Sequence, residues 1–257
     1  MRLPRPVRRI TDLVTRRIPV PIMSGVNRSL LWNLASAGSG HASGRRELTR
    51  MRVLDALIRP GDTVWDLGAH QGFVTLLASR RVGPSGTVYA FEPAHENRAV
   101  LRRHVRWNRL VNVHVLPFAL GSFDGDATFG GGATSRMHAL GQGDETVAVR
   151  TVSSLVGSGL PSPNFVKIDV EGAEAEVLAG AMSVLRSDTR LMIAMHSTTA
   201  YEACLALLRP AGFVVVESRA LVTCRQGEWR GDPDAYFHGT SYAGADEDRR
   251  LLHALGL

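Results

Sequence analysis

Short apolar runs alternate with longer segments of helical periodicity from residue 45 onward. In the longer segments, apolar residues recur every three or four positions, which is typical of helices packed on one face. The short runs are nearly continuous in apolar residues, which is typical of strands buried on both faces. They are TVWDLG, TVYAFEP, VNVHVLPFALG, PNFVKIDVEG, RLMIAMHS and FVVVES. This alternation predicts an α/β fold, a Rossmann-like, doubly wound sheet of about seven mostly parallel strands with helices on both faces.

The flanking and inserted segments lack this rhythm. Residues 1–44 are basic and end in the Gly/Ser stretch SAGSGHASG, so we expect a basic N-terminal arm or lid, followed by the main domain at 45–257. Within the arm, VNRSLLWNLAS predicts one short amphipathic helix. Residues 121–150 are rich in Gly and alternate weakly, which predicts a β-hairpin excursion over the top of the sheet. Residues 219–257 predict a last strand and a terminal helix.

Composition and charge favour a globular protein of a reducing compartment. The net charge is +6, and Lys167 is the only lysine among 30 basic residues. The basic arm would suit an anionic partner, but we expect a solvated arm and no nucleic acid. Cys204 and Cys224 belong to no CxxC or Cys/His pattern, which argues against a zinc site and a disulfide scaffold. No apolar run approaches the roughly 20 residues of a transmembrane segment, so we expect a cytoplasmic protein.

Candidate chemistry begins in VWDLGAHQGFVTLL, where a predicted strand turns into a predicted helix. The spacing D-x-G-x-x-x-G differs from the dinucleotide fingerprint GxGxxG, and Asp66 at the mouth of the turn would repel a pyrophosphate. The same carboxylate favours a ligand that carries an ammonium or sulfonium group. Glu92 ends the next strand, where a carboxylate accepts hydrogen bonds from the two hydroxyls of a ribose. Together the two acids describe S-adenosylmethionine, with its adenine near residues 117–120.

Four segments resemble the FkbM family of methyltransferases: VWDLGAHQGFVTLLA, FEP, VRTVSSL and FVKIDVEGAEAEVLAGA. The resemblance covers residues 45–217 in the order of the family, and KIDVEGAE is its most specific piece. It implies a class I methyltransferase fold and an enzyme that uses S-adenosylmethionine to methylate hydroxyl groups on natural products and glycans. We therefore expect an O-methyltransferase that acts on a hydroxyl of a sugar, glycolipid or secondary metabolite, either as a monomer or as a homo-oligomer.

The resemblance also implies which residues bind the donor. The turn after the first strand forms the floor beneath its methionine part, the acid after the second strand binds its ribose, and the end of the third strand borders its adenine. A Glu in the helix before the first strand lies on the cofactor side. The full set is Glu47, Asp66, Gly68, Ala69, Gly72, Phe73, Glu92, Pro93, Ala119 and Leu120.

Three residues at the fourth and fifth strands are the candidates for catalysis: Asp169, His196 and Lys167. A protonated hydroxyl is a poor nucleophile, so a base or a metal ion assists the transfer. Asp169 and His196 are the best placed to serve, whereas a buried Lys167 is most simply a paired charge. Asp169, Glu171 and His196 offer oxygen and nitrogen ligands, but nothing at ligand spacing compels a metal, and we predict none. Glu174 opens the next helix as a candidate partner for these residues.

Three other functions share parts of this pattern. A dehydrogenase has the same architecture, but it would show GxGxxG and no acid at position 66. A nucleic-acid methyltransferase suits the basic arm, but enzymes that act on base nitrogens tend to show N-P-P-Y where this chain has DVEG. A catalytically degenerate scaffold would bind the cofactor without transfer and would hold a partner through residues 1–44. Binding of adenosylhomocysteine and salt-dependent binding of RNA separate these functions.

Overall fold

The computed structural model describes residues 15, 17–35, 40–45, 47–130, 139–141, 143–218, 234–239 and 242–255. The strands in these ranges are β1 (Pro19–Pro21), β2 (Leu31–Asn33), β3 (Thr63–Leu67), β4 (Thr87–Phe91), β5 (Val113–Leu116), β6 (Ala119–Leu120), β7 (Gly125–Gly130), β8 (Ala139–Leu140), β9 (Glu145–Arg150), β10 (Phe165–Ile168), β11 (Arg190–Ala194), β12 (Phe213–Ser218) and β13 (Asp234–Gly239). The helices are α1 (Leu48–Leu57), α2 (Phe73–Val82), α3 (His95–Trp107), α4 (Val152–Gly157), α5 (Glu174–Ala179), α6 (Thr198–Leu208) and α7 (Ala245–Ala254). Among these helices, none combines the length and the apolar character that crossing a membrane requires.

Seven of these strands form the central sheet, in the order β12-β13-β11-β10-β3-β4-β5. All pairs from β11 to β5 are parallel, whereas β13 is antiparallel to both of its neighbours. The prediction of an α/β fold with a mostly parallel sheet is confirmed. The chain passes from β3 outward through β4 and β5, and it later returns on the other side through β10 and β11. The strand order therefore reverses between β3 and β10, which is where ligands bind in such sheets.

Apolar side chains cover both faces of the central sheet. Val64 and Trp65 on β3 are both fully buried although successive strand residues point to opposite faces. Trp65 packs in a core cluster with Phe91, and Val64 packs in a second cluster with Val88. Burial on both sides explains why the strands are nearly continuous in apolar residues, and why a charged residue inside them stands out.

A second sheet, in the order β6-β9-β7-β8, follows the first half of the central sheet along the chain. Strands β7 and β9 pair antiparallel, so the hairpin predicted within 121–150 is present, although residues 131–138 and 142 lie outside the described residues. The predicted third strand divides: β5 belongs to the central sheet, while β6 pairs with β9. Pro117 lies between the two parts and has no amide hydrogen with which to continue a ladder.

Strands β1 and β2 form an N-terminal hairpin, residues 19–33, that packs on the domain. The short helix predicted here is wrong, because the chain is extended at Leu31–Asn33. Trp32 is 1% exposed and stacks on His104 at 3.9 Å between ring centroids, while the Leu31 amide donates to Oδ1 of Asn108 at 2.7 Å. These tertiary contacts override the helical spacing. The most basic part of the predicted arm, residues 1–14, lies outside the described residues.

Candidate active site

The turn between β3 and α2, called here the donor turn (residues 68–72), is held by the protein's own backbone. The amides of Gly68 and Ala69 both donate to the carbonyl oxygen of Phe91, at 3.1 and 2.9 Å. Gly68 has a φ of 74°, and a Cβ there would lie 1.9 Å from the carbonyl oxygen of Asp169. Gly72 has a φ of 90°, and a Cβ there would lie 2.2 Å from a leucine methyl group. Both positions therefore require glycine for the packing of the turn itself.

The acid that precedes this turn has a cationic partner within the protein. Asp66 is fully buried, and its Oδ1 lies 3.1 Å from Nζ of Lys167, which is its neighbour in the β3–β10 register. Its Oδ2 accepts a hydrogen bond from the Thr75 hydroxyl at 2.6 Å. Lys167 also donates to the carbonyl oxygens of Leu67 and Gly68, at 3.2 and 2.8 Å. The acid thus fixes the base of the donor turn, and its contact with the donor's ammonium group stays a prediction.

Lys167 keeps its charge in this environment. Burial by itself would lower the pKa of Lys167, but the carboxylates of Asp66 and Asp169 raise that pKa above its ordinary value. A protonated lysine cannot accept a proton from a substrate. Its contacts describe a paired charge that joins β3 to β10, and a direct catalytic role for Lys167 stays a prediction.

Glu92 directly follows β4, with its carboxylate turned toward backbone amides. Its Oε2 accepts from the amide of His70 at 2.7 Å, and its Oε1 accepts from the amide of Ala94 at 3.0 Å and from Asn97 Nδ2 at 3.5 Å. The side chain is buried, as is the neighbouring Pro93. Burial raises the pKa of Glu92 to about 7, against the opposing effect of these donors. The carboxylate therefore lies beside the donor turn and titrates near neutral pH.

The remaining residues of the predicted donor site lie on two sides of the turn. Ala119 packs in a small apolar cluster with Ala94, close to the end of β4. Leu120 belongs to the main core cluster. Phe73 opens α2 and meets Trp32 edge-on at 5.4 Å between centroids. Ala119 thus lies near the end of β4, while Phe73 faces the N-terminal hairpin, and the contacts of both with a donor stay predictions.

Four side chains converge beyond the carboxyl ends of β10 and β11. His196 Nε2 lies 3.6 Å from Asp169 Oδ1 and 3.5 Å from Glu171 Oε2. Its Nδ1 lies 2.8 Å from Oε1 of Glu174, a fully buried carboxylate on α5. One ligand atom from each of Asp169, Glu171 and His196 lies within 4.8 Å of the other two. The structure therefore brings together Asp169 and His196, two of the three predicted catalytic residues, and with Glu171 they form a set that could hold a divalent ion.

The charges of this group shift one another. Burial alone would lower the pKa of His196, but the Glu174 hydrogen bond and the charges of Asp169 and Glu171 raise it to about 9. Burial alone would raise the pKa of Asp169, yet nearby cations, Lys167 foremost, hold it below its ordinary value. In the protein by itself, the pair is therefore an imidazolium and a carboxylate at neutral pH.

Glu47 reaches the same group through an arginine. Arg50 Nη1 lies 3.3 Å from Glu47 Oε2 and 3.3 Å from Asp169 Oδ2, so helix α1 is tied to the end of β10. Sequence reasoning missed Arg50 and Thr75, because neither follows a predicted strand. Their partners are 119 and 9 residues away in the chain, and only the fold brings them together.

Comparison with known proteins places this geometry in a family. The sequence model described as the Methyltransferase FkbM domain matches residues 66–217, which is more than half of the chain. The chain belongs to the FkbM methyltransferase family. The matched range contains the donor turn, Glu92, Asp169 and His196. This region is accordingly an S-adenosylmethionine-dependent methyltransferase domain, as the resemblance implied.

Two methyltransferases of known name show how far along the chain the similarity extends. The chain is 30% identical over 160 residues to the hexuronic acid methyltransferase AglP of Haloferax volcanii, covering 60% of this chain and 63% of AglP. It is 31% identical over 196 residues to the 31-O-demethyl-FK506 methyltransferase FkbM of Streptomyces tacrolimicus, covering 62% and 75% of the two chains. The chain thus spans less than two thirds of the length of AglP.

Comparison with a solved structure concerns the fold. A putative O-methyltransferase from Klebsiella pneumoniae aligns with a TM-score of 0.51 at 10% identity, covering 77% of this chain and 83% of that one. Likeness at this identity concerns the fold alone. It agrees with the class I methyltransferase architecture expected from the sequence.

Proposed function

We propose that this FkbM-family protein transfers a methyl group from S-adenosylmethionine to a hydroxyl of a sugar, glycolipid or secondary metabolite. The observation that carries the proposal is the pairing of Asp169 with His196, 3.6 Å apart beyond the strand ends and beside the donor turn. We place the acceptor hydroxyl and the donor methyl group beside this pair. The relatives named for a hexuronic acid and for an FK506 precursor support a sugar or natural-product acceptor.

The protein does not have to activate the methyl group, because the methyl group on the sulfonium of the donor is already reactive. The acceptor oxygen forms a bond to the methyl carbon, the carbon–sulfur bond breaks with its electrons moving to sulfur, and the hydroxyl proton passes to water. Adenosylhomocysteine is the second product. Holding oxygen, methyl and sulfur in line supplies much of the acceleration. We assign Asp169 and His196 to preparing the hydroxyl for attack.

The donor contacts in this proposal follow the predicted set. Glu92 receives the ribose hydroxyls, because its carboxylate lies beside the donor turn and keeps lone pairs beyond its amide contacts. The donor turn receives the methionine part, Ala119 and Leu120 border the adenine, and Glu47 lies on the cofactor side. Asp66 acts first through Lys167, by fixing the turn.

A mass-spectrometric screen tests the acceptor class. The protein would be incubated with S-adenosylmethionine and panels of glycosides and polyketides, and each acceptor would be monitored for gain of one methyl group. We expect His196→Ala to lower turnover while its affinity for adenosylhomocysteine stays nearly intact. His253→Ala, an exposed histidine on α7, is the matched control and should keep full turnover. Unchanged turnover in His196→Ala would remove that residue from the reaction.

The same experiment separates the other functions. Binding of adenosylhomocysteine without methyl transfer to any acceptor would favour the degenerate scaffold. Salt-dependent binding of RNA, with methyl transfer to it, would favour the nucleic-acid enzyme. We also propose a reducing compartment such as the cytoplasm, because Cys204 is free and buried and burial raises the pKa of its thiol to about 12. A homo-oligomer stays a prediction, to be measured by light scattering.

A further inference from the structure

We propose that Asp169, Glu171 and His196 bind a divalent cation of the Mn²⁺ type, and that this cation meets the acceptor oxygen. The role at the acceptor rests on the proposed function, whereas binding of the cation does not. On sequence spacing alone we predicted no metal, because the three residues come from two separated segments. The fold brings them to one point, and that placement leads us to the new proposal.

The spacing of the three ligand atoms suits a metal ion. His196 Nε2 lies 3.6 Å from Asp169 Oδ1 and 3.5 Å from Glu171 Oε2, and all three atoms lie within 4.8 Å of one another. Metal–ligand bonds of about 2.0–2.1 Å put neighbouring ligands about 3 Å apart in the octahedral arrangement typical of Mn²⁺. Small rotations of the two carboxylates complete such a geometry. The remaining positions are then open to water or to the acceptor.

The imidazole is held in the orientation that a ligand needs. Its Nδ1 pairs with Oε1 of Glu174, which also accepts from the amides of Gly172 at 3.0 Å and Val170 at 3.4 Å. Nε2 is thereby directed at Asp169. A metal-binding histidine commonly donates its other nitrogen to a carboxylate in this way. Glu174 is therefore the positioning residue of the proposed site.

The charge of the surroundings favours a cation. Eight side chains are linked by contacts of 3.8 Å or less, and five of them are carboxylates. Arg50 and Lys167 are the two permanent cations of the group, so negative charge is in excess even when His196 carries a proton. Independently, Oε2 of the fully buried Glu174 has no hydrogen-bond partner among the described residues. Excess negative charge in a partly buried site attracts cations. The eight are Glu47, Arg50, Asp66, Lys167, Asp169, Glu171, Glu174 and His196.

The ligand types indicate which cation. Carboxylates suit Mg²⁺, Ca²⁺ and Mn²⁺, whereas imidazole suits later transition metals, so two carboxylates with one imidazole favour Mn²⁺ over Mg²⁺. A cation bound there would lower the pKa of a coordinated hydroxyl, whose proton then leaves to water as the oxygen attacks the methyl group. In this arrangement His196 acts on the hydroxyl indirectly, because it holds the cation to which the hydroxyl binds.

Manganese titration of the full chain tests the site without reference to activity. The protein is stripped with a chelator, and binding is followed by loss of the free Mn²⁺ signal in electron paramagnetic resonance, with no donor present. We expect one saturable site, weakened at least tenfold in Glu171→Gln and in His196→Ala, and tenfold to a hundredfold in Glu174→Gln. Glu176→Gln, on the exposed side of the same helix, is the matched control and should bind as the wild type does.

Folding and function are checked separately. Circular dichroism and adenosylhomocysteine affinity of Glu171→Gln should match the wild type, which shows that loss of Mn²⁺ is local. Absence of saturable binding, or equal binding by wild type, Glu171→Gln and His196→Ala, overturns the metal site. Mn²⁺ binding without methyl transfer to any acceptor upholds the site and overturns the proposed function. Full methyl transfer in the presence of a chelator, together with the absence of Mn²⁺ binding, overturns the metal site and upholds the proposed function.

Discussion

The affinity of the protein for adenosylhomocysteine should rise about tenfold between pH 6 and pH 8. Glu92 is 4% exposed, and burial raises its pKa to about 7. Ribose hydroxyls donate to the ionised carboxylate, so the ligand favours that form. One pH unit below its pKa, about one molecule in eleven is ionised, and one unit above it about ten in eleven are, which gives the tenfold ratio.

Isothermal calorimetry with adenosylhomocysteine at several pH values measures this effect. Glu92→Gln keeps the size of the side chain but cannot ionise, so its affinity should be weaker at pH 8 and nearly constant across the range. Glu96→Gln alters an exposed acid in the first turn of α3 and should keep the wild-type slope. A flat wild-type profile, or an unchanged slope in Glu92→Gln, would refute ribose binding by the ionised form of this residue.

Three further changes have definite expected outcomes. Asp66→Asn leaves the buried Lys167 with only the more distant carboxylate of Asp169, at 3.8 Å, and should lower the free energy of unfolding in urea by about 3 kcal/mol, whereas Asp188→Asn in the exposed pair with Arg186 should cost little. Gly68→Ala should abolish adenosylhomocysteine binding, while Gly157→Ala, which meets nothing within 4 Å, should not. Burial lowers the pKa of His104 to about 4. The free energy of unfolding should therefore be highest above pH 6.5 and should fall by about 2 kcal/mol at pH 5, because the unfolded chain binds the proton more readily. We expect His104→Gln to reduce this loss. Three results would contradict these expectations: equal stabilities of Asp66→Asn and Asp188→Asn, normal adenosylhomocysteine binding by Gly68→Ala, or a wild-type stability that does not change between pH 5 and pH 6.5.

The sheet was predictable because its strands are buried on both faces. Nearly continuous apolar runs such as TVWDLG and FVKI are typical of strands in a parallel sheet that is covered on both faces. In such a sheet the carboxyl ends of the strands lie at one edge, so the residues that end these runs are expected there. Asp66, Glu92, Asp169 and His196 were therefore found from the sequence as a group. Asp66 and Glu92 already indicated S-adenosylmethionine as the donor, and the resemblance to the FkbM family added the class of acceptor.

The partners of these residues were not predictable, because they depend on which strands become neighbours. Asp66 and Lys167 lie 101 residues apart and face each other only because β3 pairs with β10 in the observed register. For that reason the acid was assigned to the ligand alone, and its ion pair went unnoticed. Arg50 escaped for the same reason, since its tie to Asp169 spans 119 residues.

Local pattern failed where tertiary contacts were stronger. The spacing in VNRSLLWNLAS fits one face of a helix, but the extended β2 lets Trp32 stack on His104 while the Asn33 amide donates to its Nε2. A short segment has little intrinsic helical stability to set against such burial. The error therefore fell on an eleven-residue stretch, while other periodic segments form the helices α1, α2 and α3.

His104 links the N-terminal hairpin to the donor turn. One ring nitrogen meets Asn33, and the other lies 2.8 Å from the carbonyl oxygen of Gln71 in the donor turn. A recombinant protein trimmed to residues 45–257 would keep β3 and α1, but it would remove Trp32 from its stack and leave this ring facing water. A shortened protein for crystallisation should therefore keep the N-terminal hairpin. Without the hairpin, we expect the donor turn to unfold before the central sheet does.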